Sequence, residues 1–258
     1  MKNLDKLKQN GEKITCLTAY DTTFAKLIAQ AGIDILLVGD SLGMVVQGQD
    51  STVPVTLDDM VYHSQLVARG KQKALLIADM PFMSYSTPEI AFNTATRLMQ
   101  EGHAQMVKLE GAWVAETVEM LVERGIPVCG HLGLTPQSVY KLGGYKVQGR
   151  DKKDAQRLLE DALLLQEAGA SLIVLECIPG NLAAEITTAL EIPTIGIGAG
   201  KDCDGQVLVL YDILGITIGK KPSFAKDFLQ ETGSVSTAIE AFIEAVKNST
   251  FPGSEHTF

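Results

Sequence analysis

LLIADMPFMSYSTPEIAFNTATRLMQEGHAQMVKLE, residues 75–110, holds one strand–helix–strand unit, and the rest of the chain is read outward from it. Leu75 to Ala78 is a short apolar run closed by Asp79. Thr87-Pro88-Glu89 then supplies an N-cap, a first-turn proline and an acid suited to the positive end of a helix dipole, which predicts a helix running to Gly102. Met106 to Leu109 is a second apolar run, closed by Glu110. Runs this brief and this uniformly apolar fit strands covered on both faces, as in a parallel sheet.

The alternation continues in both directions. Further strand-like runs are Ile14 to Tyr20, Ile35 to Val38 before Gly39-Asp40-Ser41, Val128 to Leu132, Leu172 to Leu175 before Glu176, Thr194 to Gly198, and Val207 to Leu210. Between them, helical spacing covers Asp21 to Gln30, Leu57 to Arg69 behind a Thr56 cap, Trp113 to Arg124, Asp151 to Ala168, a segment capped by Asn181 and ending at Leu190, and Ser236 to Asn248. Repeated strand–helix units cross over with one hand, and eight of them close a barrel of about 250 residues. The chain has 258. The expected fold is therefore α/β, a single-domain (β/α)8 TIM barrel over residues 1–258. An open doubly wound sheet would carry a glycine-rich turn after the first strand, and Tyr20-Asp21-Thr22-Thr23 is not one. The tail, residues 249–258, reads as flexible.

Charge narrows the partners. Lysine and arginine number 22 against 31 acids, a formal net charge of −9, which disfavours nucleic acid or an anionic membrane as the main partner. Met1 to Lys13 is charged and lacks the apolar segment of a signal peptide, so a cytoplasmic location is expected. Cys16, Cys129, Cys177 and Cys203 show no zinc-type spacing and read as buried thiols.

The polar residues fall unevenly. Asp40, Asp79, Glu110 and Glu176 each close a different apolar run, and Lys108 and His131 lie in or near two more. Strand C-terminal ends converge on one site in a barrel, so these residues would meet. Converging carboxylates repel one another, and a hard divalent cation such as Mg2+ relieves that conflict. Asp40 and Asp79 are the first candidates to hold it, with Glu110 bound directly or through water. A 2-oxo acid could share the cation, Lys108 could add positive charge beside it, and Glu176 is the candidate base. Plainer readings stand beside these. Asp40-Ser41 and Asp79 could be turn or cap residues, Lys108 and Glu110 a simple ion pair on one strand face, His131 a core histidine, and Glu176 a partner for an outer helix. Two long connections after strands, Leu42 to Pro54 and Thr135 to Arg150, suit binding loops. Ile195 to Gly200, IGIGAG, could cradle a phosphate or merely pack closely.

Nine stretches in chain order carry a resemblance. They are TAYD at 18–21, GDSLGMVVQG at 39–48, ADMPFMSY at 78–85, KLEG at 108–111, GHLGLTPQS at 130–138, GGYKVQGR at 143–150, LECIP at 175–179, IGIGAG at 195–200 and CDGQVLV at 203–209. Together they resemble the ketopantoate (3-methyl-2-oxobutanoate) hydroxymethyltransferase family. The resemblance implies a barrel of the phosphoenolpyruvate/pyruvate type. It also implies transfer of a hydroxymethyl unit from 5,10-methylenetetrahydrofolate to 3-methyl-2-oxobutanoate, giving 2-dehydropantoate for pantothenate and coenzyme A synthesis. It implies Mg2+ and a homo-oligomer, often a decamer. By that resemblance Asp40, Asp79 and Glu110 match the metal residues, Asp40, Ser41, Asp79 and Lys108 substrate contacts, Glu176 the proton acceptor, His131 a pocket histidine and Tyr20 a pocket wall. Ala112 departs from the second glycine expected after Glu110-Gly111. Two rival readings remain. One is a lyase of the phosphoenolpyruvate mutase and isocitrate lyase type, which would place a reactive cysteine in a mobile loop where neither long connection has one. The other is a non-catalytic barrel that only binds a 2-oxo acid.

Overall fold

In the computed structural model, residues 4–219 and 221–258 are described. The first three residues of the charged N-terminal stretch lie outside them. A helix precedes the barrel, α1 (Leu4–Gln9). Eight strands follow: β1 (Ile14–Thr18), β2 (Ile35–Val38), β3 (Leu75–Asp79), β4 (Met106–Glu110), β5 (Val128–Gly133), β6 (Leu172–Glu176), β7 (Thr194–Ile197) and β8 (Gly205–Leu208). Each pairs in parallel with the next, and β8 pairs with β1, so the sheet closes on itself. The (β/α)8 barrel expected from the alternating runs is the fold observed.

Covering the strands are α2 (Thr22–Gln30), α3 (Leu42–Val45), α4 (Leu57–Gly70), α5 (Pro88–Gln100), α6 (Ala115–Glu123), α7 (Val139–Leu142), α8 (Lys152–Glu167), α9 (Gly180–Ala189), α10 (Leu210–Ile213), α11 (Leu229–Thr232) and α12 (Val235–Lys247). Several start where the side chains say they should. Thr56 and Asp59 form a reciprocal capping box at α4, and the Thr87 hydroxyl accepts from Ile90 N ahead of Pro88 at α5. Asp21 and Asp151 cap α2 and α8 in the same way. Asn181 is not a cap. α9 begins one residue earlier, and the Gly180 N–H donates to the Phe258 carbonyl at 3.0 Å, a long-range bond no local pattern announces.

Two further expectations need correction. β8 runs two residues earlier than expected, because Gly205 packs so tightly on the Ile14 carbonyl and Ile195 that a side chain would collide there, while Leu210 already opens α10. The tail at 249–258 is packed rather than loose. Phe251 is buried in an aromatic cluster with Phe228 and Phe242, ring centroids 5.6 and 6.1 Å away, and touches His256 at 5.2 Å. The four cysteines are free and buried. Among the described residues, no helix is long and apolar enough to cross a membrane.

Candidate active site at the strand C-terminal ends

Register brings the polar residues together. Asp79 on β3 stands beside Lys108 on β4, and Glu110 on β4 beside His131 on β5. Side chains two apart on a strand share a face, so Lys108 and Glu110 point the same way. Glu176 ends β6 level with Gly133, the last residue of β5. Gly133 has φ +91°, and a side chain on it would strike the Glu176 carbonyl, so β5 can leave the sheet across that backbone only because the residue is glycine. Cys177, directly after Glu176, also takes a left-handed backbone (φ 47°), turning the chain sharply away behind the acid.

The contacts form a continuous chain. Asp79 Oδ2 accepts the Asp40 N–H at 3.0 Å, and Asp79 Oδ1 lies 3.0 Å from the Lys108 ammonium. Lys108 Nζ is also 3.0 Å from His131 Nδ1. Nδ1 facing an ammonium must accept, which leaves the proton on Nε2. His131 Nε2 is 3.2 Å from Glu176 Oε2, and Nδ1 is 3.5 Å from Glu110 Oε1. Beside this chain, the Tyr20 and Ser41 hydroxyls share a hydrogen bond of 2.8 Å, and His63 Nδ1 donates to the Tyr20 carbonyl at 2.7 Å. The fold thus brings Asp40, Asp79, Lys108, Glu110, His131 and Glu176 together, with the Tyr20–Ser41 pair beside them.

The plainer readings fare less well. Ser41 precedes α3 but makes no capping bond; its hydroxyl goes to Tyr20. The ion partner of Lys108 is Asp79, not Glu110. Glu176 turns inward to His131 rather than to an outer helix. IGIGAG packs closely: Gly196 against Cys203, Gly198 against Phe224 and Phe258, Gly200 against Gly180 and Thr257. Those neighbours occupy the space beside its glycines, so it is a wall and not a phosphate cradle.

Electrostatics follow from burial. Asp40, Asp79, Lys108, Glu110 and His131 are all at most 4 % exposed. Burial, then the charges of Asp79 and Glu110, push the Asp40 carboxyl well above its ordinary range. Burial raises Glu110 to about 7, with Lys108 opposing. Burial alone would drive a proton off Lys108, but Asp79, Glu110 and Asp40 more than offset that and hold the ammonium charged. Burial and Lys108 lower His131, keeping the imidazole neutral.

Two residues at the site were not singled out in the sequence, although Tyr85 and Gln137 both lie in stretches that carry the resemblance. Gln137 is buried and donates from Nε2 to Asp40 Oδ2 at 2.8 Å and to the Met80 carbonyl at 2.9 Å; its backbone N–H donates to Glu110 Oε2 at 3.1 Å. Tyr85 donates its hydroxyl to Gln137 Oε1. Only the turn-like Thr135-Pro136 ahead of Gln137 hints that the loop changes direction there.

Does this set suit a divalent cation? Among the described residues, no three acid, His or Cys side chains stand grouped as a ready ligand set. Asp40, Asp79 and Glu110 instead face Gln137, Lys108 and the Gln137 backbone. The chemistry nonetheless fits. Four acids with one lysine leave surplus negative charge, and Glu110 Oε1 is buried without a hydrogen-bond partner. Mg2+ commonly uses one or two carboxylates and completes its shell with water and substrate oxygens.

Comparisons with known proteins show the family. The sequence model described as ketopantoate hydroxymethyltransferase matches residues 1–254. The 3-methyl-2-oxobutanoate hydroxymethyltransferase of Marinobacter nauticus is 60% identical over 256 residues, 99% of this chain and 97% of that one. One of the same name from a Shewanella species is 61% identical over 254 residues, 98% and 96% of the two chains. Among solved structures, phosphonopyruvate hydrolase in complex with oxalate and Mg2+ superposes with TM-score 0.64 at 12% identity, covering 98% of this chain and 91% of that one. 2,3-Dimethylmalate lyase, of the phosphoenolpyruvate mutase/isocitrate lyase superfamily, gives 0.61 at 17% identity and 97% of both chains. At such identity these two share the fold alone. The chain is thus an enzyme and belongs to the ketopantoate hydroxymethyltransferase family.

Proposed function

We propose that this enzyme transfers a one-carbon unit from 5,10-methylenetetrahydrofolate to 3-methyl-2-oxobutanoate, with water consumed and 2-dehydropantoate and tetrahydrofolate formed. The observation that carries the mechanism is the contact chain Asp79–Lys108–His131–Glu176, which links the acid pair to a half-shielded carboxylate. Asp40 and Asp79 would hold Mg2+, with Glu110 acting directly or through water. When bound, the cation acts as a Lewis acid on the oxo acid's oxygens.

The chain's own residues do the rest. Lys108 places fixed positive charge where the keto oxygen gains negative charge, at no reorganisation cost during reaction. The Ser41 hydroxyl, held by Tyr20, orients the substrate carboxylate. Glu176 takes the proton from C3 of the oxo acid. Neutral His131, with its N–H directed at Glu176, sets the angle of that carboxylate and lines the space reached by the new hydroxymethyl group. Water releases the methylene carbon from both donor nitrogens as formaldehyde, each nitrogen ending as N–H, and the C3 carbanion adds to it, the new alkoxide taking back the proton held by Glu176. The same reading includes a homo-oligomer, decameric by resemblance, which sedimentation measures.

The test is isotope exchange without the folate. Glu176→Gln should still bind Mg2+ and 3-methyl-2-oxobutanoate but lose C3 proton exchange in deuterated water by at least about a hundredfold. Exchange at the native rate would remove Glu176 as the base.

A further inference from the structure

Gln137 meets the acid cluster at two points, its side chain at Asp40 and its backbone N–H at Glu110. Its carboxamide is fully oriented by its surroundings. The Met80 carbonyl can only accept, so Nε2 must face it, and Oε1 must then face the Tyr85 hydroxyl. The second Nε2 hydrogen goes to Asp40. Tyr85 is itself fixed, stacked on Trp113 at 5.5 Å with planes 22° apart. Through its backbone N–H the same residue holds Glu110. One residue of the β5–α8 connection thereby ties together the ends of β2, β3 and β4.

We propose that Gln137 is a positioning residue that sets the orientation of the Asp40 carboxylate, and so the affinity of the Asp40–Asp79 pair for a divalent cation. The proposal rests on the reading that this pair holds the cation. An aspartate turns freely about its last torsion when nothing restrains it. A donor locked on three sides removes that freedom before the cation arrives, and such outer partners of metal-binding carboxylates govern affinity.

Gln137→Met is close in size, keeps the backbone N–H on Glu110 and deletes the carboxamide. Mn2+ is titrated into chelator-treated, full-length protein and free Mn2+ is followed by electron paramagnetic resonance. Gln137→Met should weaken binding about tenfold. Tyr85→Phe removes only the bond to Oε1 and should weaken it about threefold. Cooperative melting of the cation-free variants shows that they are folded. A purely structural role would lower the melting temperature and leave the Mn2+ affinity of the folded protein alone. Asp40→Asn separates the two levels. If it abolishes binding while Gln137→Met stays within about twofold of the native protein, Gln137 is a bystander and the proposal falls alone. If Asp40→Asn binds Mn2+ like the native protein, the cation reading fails and takes the proposal with it. Should Gln137→Met not fold, Tyr85→Phe decides, and an unchanged affinity there overturns the role of Gln137.

Discussion

The two ends of the barrel both bury aspartates, and they treat them in opposite ways. At the N-terminal end, Asp34 precedes β2 and Asp204 precedes β8. Asp34 Oδ2 accepts from Thr15 N at 3.0 Å, Thr15 Oγ at 2.9 Å and Lys247 Nζ at 2.7 Å. Asp204 Oδ2 accepts from Thr194 N at 2.9 Å, Thr194 Oγ at 3.3 Å and Lys8 Nζ at 3.0 Å. The pattern is the same twice: an acid before one strand secures the start of its neighbour, with a lysine of its own. At the C-terminal end, four acids converge on one lysine, which pairs with Asp79, and a buried oxygen of Glu110 has no hydrogen-bond partner. Burial of an acid therefore says little by itself. The balance of partners separates a structural carboxylate from a functional one, as general experience with barrel enzymes also places chemistry at this end.

That contrast can be attacked by exchange. The largest effect expected is on turnover. Asp79→Asn should lose activity by at least about a hundredfold, since it removes the partner of Lys108 and, on the proposed reading, a cation ligand as well. Asp34→Ala should leave turnover of the folded protein near native; a comparable loss there would erase the distinction between the ends.

Next in size is the response to cation. Mg2+ at about a hundred times its dissociation constant should stabilise the native protein by about 2.7 kcal/mol, read from denaturant unfolding. Asp34→Ala should show the same increment, because distant sites add. A missing increment in that variant would mean the ends are coupled. Third, Asp34→Ala should itself cost about 2 kcal/mol, because it leaves the Thr15 N–H and hydroxyl without their acceptor and takes the ion partner from a one-third exposed Lys247, which keeps the Lys13 carbonyl. The smallest effect has the opposite sign. In chelator, Asp40→Asn should raise stability by on the order of 1 kcal/mol, since it relieves repulsion among the acids and keeps an oxygen for Gln137. A drop in melting temperature would show that the cluster is not under electrostatic stress.

Much of the barrel was legible because burial on both faces leaves a plain mark: four or five apolar residues, then an acid. β2, β3, β4 and β6 lie where their runs and closing residues place them. That Asp40, Asp79, Lys108, Glu110, His131 and Glu176 would meet was legible for the same reason, since strand ends converge in any closed barrel. How the residues are wired together was not. Nothing local tells that Lys108 turns to Asp79 and His131 rather than to Glu110, because that depends on register between strands far apart in sequence. Gln137 was hidden for a similar reason: a glutamine in a turn looks like any surface residue until the loop folds back over the acids. The tail misled by composition. NSTFPGSEHTF is mostly small and polar, yet Phe251 anchors it among two distant rings and the Phe258 carbonyl ties its end to Gly180.

Both lysines that satisfy the lower aspartates come from helices at the extremes of the chain, Lys8 from α1 and Lys247 from α12. Lys247 stands 213 residues after Asp34 in sequence, so the start of β2 is clamped by a side chain from α12. A lesion that frees α12 would therefore loosen the ring at its first two strands rather than at its last.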